Sequence, residues 1–104
     1  MTTIRYIRDR DHVRISIHGH AGYNPGNDIV CAGISTVVHM ILSTLSKYER
    51  GGIVTGLAAE AIDGNVTADF NVKHNDIWNI AWLIFRDELD AFCEAYPENV
   101  RWEL

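Results

Sequence analysis

Twice along this chain a pair of short alternating apolar segments gives way to an apolar period of three and four, and this double switch confines the fold to few arrangements. Val13, Ile15 and Ile17 alternate with Arg14, Ser16 and His18, the period of a half-buried strand, and Ile4 to Ile7 supplies a partner across the charged turn Arg8 to Asp11. From Asp28 to about Tyr48 the apolar residues Val30, Ile34, Val37, Val38, Ile41, Leu42 and Leu45 predict an amphipathic helix, which Gly51-Gly52 ends. Leu57 to Ile62 then meets Val66 to Val72 across Asp63-Gly64, a dipeptide suited to a two-residue turn with positive φ. A second helix begins at Asn75 or Asp76, either of which can cap it. It runs through Ile80, Ala81, Ile84, Phe85, Leu89 and Phe92 until Pro97 forbids continuation, and that apolar face is expected to cover the sheet. Val100, Trp102 and Leu104 alternate with Arg101 and Glu103 and read as an edge strand. The order β-β-α-β-β-α-β implies an α+β fold, a largely antiparallel sheet with two helices packed on one face. The two halves match in order but not in sequence, so no repeat is assigned.

At 104 residues with 47% hydrophobic composition, residues 1–104 are expected to form one domain with its own core. The net charge is −5 and the nine basic residues are scattered, which argues against direct nucleic-acid binding. The N-terminus lacks a signal-peptide pattern and no apolar run approaches the roughly 20 residues that span a bilayer, so a cytoplasmic protein without a membrane partner is expected. Cys31 and Cys93, the two cysteines, read as independent thiols.

Ten residues separate His20 from Cys31, in a stretch that reads as strand end, glycine-rich loop and first helical turn. A thiolate is the nucleophilic form of cysteine, and both a helix N-terminus and a nearby imidazole favour it. If Asp28 caps the helix, Cys31 falls near the third position, among free N–H groups that could also receive an oxyanion, although an ionised Asp28 opposes a neighbouring thiolate. Asn24-Pro25-Gly26 signals a turn with Gly26 at positive φ, and Gly22, Tyr23, Asn24, Pro25 and Gly26 are expected to form a flexible substrate loop. Ser35, one helical turn beyond Cys31, lies on nearly the same face and is a candidate to line the pocket. The bland alternatives are an inert core thiol at Cys31, a polar strand end at His20 and a small packing residue at Ser35. Cys93, beside Phe92 and Tyr96, reads as packing. Zinc is the other chemistry that His18, His20 and Cys31 suggest, but no paired ligands or fourth member accompany them, and His39 stands more than two turns from Cys31, so no metal or other cofactor is assigned. Trp78, Trp82 and Trp102 exceed the needs of so small a core, and an exposed subset would mark a dimer interface or a peptide groove.

The segments His18-Gly19-His20-Ala21-Gly22-Tyr23 and Asp28-Ile29-Val30-Cys31-Ala32-Gly33-Ile34-Ser35 resemble the signature of the ribosomal-processing cysteine protease family called Prp. Length and element order fit a whole member. The resemblance implies a catalytic dyad of His20 and Cys31, with Asp28 and Gly19 matching further motif positions and, with Ser35, candidates for support. It implies a homodimer that removes a short, apolar, Phe-containing N-terminal extension from a large-subunit ribosomal protein. Some members are instead linked to trimming of bacteriophage scaffold and capsid proteins, and a non-catalytic ribosome- or assembly-associated binding module on the same fold is the remaining alternative. The loop is about one residue shorter than is usual in the family, and Asn24 to Asn27 replaces a more acidic stretch, a departure that bears on substrate preference.

Overall fold

The computed structural model describes residues 1–24 and 26–103; Pro25 and Leu104 lie outside the described residues. The elements are β1 (Thr2–Asp9), β2 (His12–His18), α1 (Ile29–Arg50), β3 (Val54–Ile62), β4 (Asn65–Val72), α2 (Asn75–Ala95) and β5 (Val100–Trp102). They form the expected α+β arrangement, a five-stranded sheet in the order β3-β4-β2-β1-β5. All pairings are antiparallel except β1 with β5, which run parallel because α2 carries the chain back to the far edge. Both hairpins turn where charge and glycine predict, with Arg10 at φ 57 in the first, and Asp63 at 45 and Gly64 at 80 in the second.

Two elements depart from the sequence reading, α2 in two respects. Strand β3 begins at Val54 rather than Leu57, because a bulge between Thr55 and Ala58 breaks the alternation that would have revealed it. Helix α2 is capped by His74 without a side-chain bond. Asn75 is occupied elsewhere: its Oδ1 accepts from the Arg8 guanidinium, which also reaches Asn79 Oδ1 at 2.9 Å. The third departure is rotation. Trp78, Ala81, Trp82, Phe85 and Leu89 face the core, whereas Ile80 and Ile84, expected to cover the sheet, are about 60% exposed.

The tryptophans explain that rotation. Trp78 is fully buried, meets Phe70 edge-on at 4.8 Å and donates from Nε1 to the Tyr6 hydroxyl at 3.1 Å. Trp82 stacks on Tyr6 at 4.2 Å between centroids. Two indoles remove more apolar area from water than two isoleucines, and each offers a polar edge for a partner, so they take the inward stripe. No surplus tryptophan is left on the surface to mark an interface; the exposed apolar residues of α2 are aliphatic.

Helix α1 lays Val30, Ile34, Val37, Ile41 and Leu45 on the sheet, and Gly33 lets it approach α2, since a Cβ there would stand 2.5 Å from the Phe92 ring. The expectation that no segment is apolar enough to span a bilayer is corrected by α1, which is long and apolar enough by length and composition alone. Ser, Thr and Gly keep its outer face uncharged over most of its length, while the inner stripe serves the core.

Candidate active site

Strand β2 ends at His18, and Gly19, at φ 89, turns the chain so that His20 leaves the sheet plane. Close approach holds this corner: the Gly19 N–H donates to the Gly64 carbonyl at 3.0 Å, and Thr2 Oγ1 donates to the Gly19 carbonyl at 3.2 Å. A Cβ at Gly19 would lie 2.4 Å from the Met1 carbonyl, so only glycine fits. The exposed His20 imidazole rests against the β3–β4 turn, where a Cβ on Gly64 would stand 2.9 Å from Cε1 and 3.0 Å from Nε2. Gly64 was legible only as a turn residue; that it also makes the bed for the imidazole depends on a contact across 44 positions.

Cys31 lies in the first turn of α1, half-buried. Asp28 is the N-cap. Its Oδ1 accepts from the Cys31 amide at 2.9 Å and its Oδ2 from the Tyr23 amide at 3.0 Å, so one carboxylate ties the loop to the helix start. These bonds favour the ionised form, and the Cys31 amide first among them holds the Asp28 carboxyl below its ordinary 3.8, against the opposing effect of desolvation. Both carboxylate oxygens of Asp28 are thus engaged by backbone amides. Of the amides at the helix start, the Cys31 N–H is committed to Asp28 Oδ1, and the Ala32 N–H makes the first helical bond, to the Asp28 carbonyl at 3.1 Å.

A further amide stands beside the sulfur. The Ala21 N–H donates to Cys31 Sγ at 3.0 Å, and the Ala21 carbonyl accepts from Asn99 Nδ2 at 3.0 Å. The Asn99 carbonyl in turn accepts from the Thr2 amide at 2.8 Å, and Tyr23 packs edge-on against Tyr96 at 5.3 Å. The corner between α2 and β5 therefore fixes the near end of the loop, where Ala21 is 2% exposed, while Gly22, Tyr23, Asn24, Gly26 and Asn27 face solvent. Gly26 takes φ 86 and the Asn27 amide donates to the Asn24 carbonyl at 3.0 Å, as the turn signal predicts; Pro25, assigned to the same loop, lies outside the described residues.

His20 and Cys31 line one cleft of about 410 Å³ between α1 and the sheet. Its walls are apolar, with Ile17, Val66 and Ala61 from the strands and Ile34, Val38 and Leu42 from α1. Ser35 lines it as expected. His39 lines it too, although its distance along the chain set it aside; positions 31, 35 and 39 share a helical stripe, and that period was the available signal. His18 points elsewhere, with Nδ1 3.1 Å from Asn65 Oδ1. Cys93 packs against the core, where burial, and after it the charge of Asp90, push its thiol above the ordinary 9.0.

A thiol and an imidazole lining one apolar cleft, with an amide bonded to the sulfur, suit acyl transfer to sulfur. The family model described as cysteine protease Prp matches residues 1–101. The fold superposes, with a TM-score of 0.70 and 26% identity, on the crystal structure of the essential ribosomal processing protease Prp from S. aureus in complex with a covalently linked product peptide. That match covers 99% of this chain and 98% of the other. The same S. aureus protease in complex with a substrate peptide gives 0.64 and 26% over the same shares. SMU.848 from Streptococcus mutans shares the fold at a TM-score of 0.66 and 23% identity, with 99% and 92% covered. No curated protein is similar enough to count as a match. With the family model spanning nearly its whole length, the chain belongs to the cysteine protease Prp family and is a cysteine protease.

Proposed function

We propose that this cysteine protease removes a short, apolar, Phe-containing N-terminal extension from a large-subunit ribosomal protein, with Cys31 as nucleophile and His20 as general base and acid. The observation that carries the reading is the placement of both side chains on the wall of one apolar cleft, in a family whose S. aureus member is a ribosomal processing protease. His20 takes the Cys31 thiol proton and the sulfur attacks the scissile carbonyl carbon, forming a C–S bond while the carbonyl π pair moves to oxygen. The Ala21 amide, 3.0 Å from the sulfur, is a donor beside the attacking atom and stabilises its thiolate form. Collapse of the adduct expels the amine, which leaves with the proton from His20. Water, deprotonated by His20, then releases the acyl group and restores the thiol. The apolar walls accept the extension's side chains, and Ser35 and His39 give the cleft its polar margin.

The protease works as a homodimer in the cytoplasm, where ribosomal substrates are made. Ile77, Ile80, Ile84 and Met40 form an exposed aliphatic face across α2 and α1, the kind of surface that a second copy covers. The test is incubation with a peptide carrying such an extension, read by mass spectrometry beside Cys31→Ala and His20→Ala. One cut, absent from both variants, is expected; persistence of the cut in either variant rejects the dyad, and an intact peptide with the native protein rejects the substrate.

A further inference from the structure

The free edge of the sheet beside the cleft has an unusual division of backbone groups. In the β2–β4 ladder the Val72 N–H donates to the Asp11 carbonyl at 2.7 Å at one end, and the Gly19 N–H donates to the Gly64 carbonyl at 3.0 Å at the other. Between them the register pairs Val13 with Phe70, Ile15 with Ala68 and Ile17 with Val66. Backbone direction alternates along a strand, so Val66, Ala68 and Phe70 bond toward β2, while Asn65, Thr67 and Asp69 bond toward β3. Their partners Ile62, Glu60 and Ala58 therefore use their own groups on β4. Leu57, Ala59 and Ala61 are left facing away from the sheet.

Glu49 confirms the alternation and bounds the edge. Its Oε2 accepts from the Leu57 amide at 2.7 Å, so that outward N–H is closed from within the molecule. Among the described residues nothing covers Ala59 and Ala61 in this way, and both are exposed. Their side chains stand on the helix side, across from Ala68 and Val66, and Ala61 itself lines the cleft with His20 and Cys31. Two methyl groups leave that side of the edge open where larger residues would fill it.

We infer that the substrate docks as a sixth strand on β3, its backbone pairing with Ala59 and Ala61, so that the cleft accepts alternate apolar side chains of an extended segment next to the scissile bond. This rests on the protease reading above and specifies how that site holds its peptide. Continuity decides the occupant: the open edge runs into the cleft at Ala61 and Gly64, whose other wall carries Cys31. Main-chain pairing supplies affinity for any extended chain, and side chains at every second position supply selectivity. Glu49 at Leu57 ends the ladder after two outward residues, which suits a short segment and denies the edge to longer strands.

The experiment uses the Cys31→Ala protein and a synthetic peptide with the apolar, Phe-containing extension. Amide exchange is followed at Ala59 and Ala61 with and without saturating peptide, and the peptide is N-methylated one residue at a time. Both amides are expected to become protected. Methylation at two positions spaced i, i+2 should weaken binding roughly fivefold each, the equivalent of about one hydrogen bond, with the position between them tolerated. Unchanged exchange at both alanines, or methylation tolerated everywhere within the bound segment, overturns the docking mode. A peptide that binds with this pattern but is not cut by the native protein supports the docking and rejects only the proposed substrate.

Discussion

Asp28 divides its two carboxylate oxygens between the amides of Cys31 and Tyr23, so the residue that starts α1 also closes the loop over it. A carboxyl held below its unfolded value of 3.8 contributes in full above that value, and the contribution is lost as pH falls through the lower native one. Thermal melts in acid should therefore show a loss of stability below about pH 4 that Asp28→Asn removes, and Asp28→Ala should lower the melting temperature at neutral pH as well. Gly64 is a second residue whose identity is dictated by position. Gly64→Ala meets a positive φ, at a cost of about 1–2 kcal/mol, and pushes the His20 ring from its seat. A drop in kcat/KM on the order of tenfold to a hundredfold, beyond what the measured stability change explains, is the expected signature.

Among elements, the corner between α2 and β5 has more influence on the site than its place in the sequence suggests. Asn99 holds the Ala21 carbonyl, and the next amide group back along the chain holds the Cys31 sulfur. Asn99→Ala leaves that half-buried carbonyl without its partner, about 1–3 kcal/mol of lost stability by denaturant unfolding, and should slow Cys31 chemistry with His20 intact. This link was not legible in the sequence, because a side-chain bond to a backbone carbonyl 78 positions away leaves no periodicity. What was legible followed from local rules. Alternation in β2 and β4, the three-four period of α1, the Asp63-Gly64 turn and the Asp28 cap each express themselves within a few residues. The rotation of α2 was not, because the 3.6 period leaves a wide apolar arc and only packing decides that Trp78 and Trp82 outrank Ile80 and Ile84. The Cys31-Ser35-His39 stripe was readable as far as Ser35; with the helix in place, His39 follows one turn on.

At the scale of the whole molecule, two surfaces divide the work. The cleft and the β3 edge lie at the α1 side of the sheet, and the aliphatic face of α2, with Ile80 63% and Ile84 60% exposed, is turned to solvent away from the core. Sedimentation should give a dimer for the native protein and a monomer for Ile80→Glu, since a buried unpaired charge at such a face opposes association. The account as a whole stands on the partnership of His20 with Cys31, and the rate of iodoacetamide modification tests it without assuming a substrate. Cys93, raised by burial and by Asp90, is the internal reference. Peptide mapping at neutral pH should find Cys31 modified ahead of Cys93, and roughly tenfold or more slower in His20→Ala. Equal rates at Cys31 in the native and His20→Ala proteins would contradict the dyad.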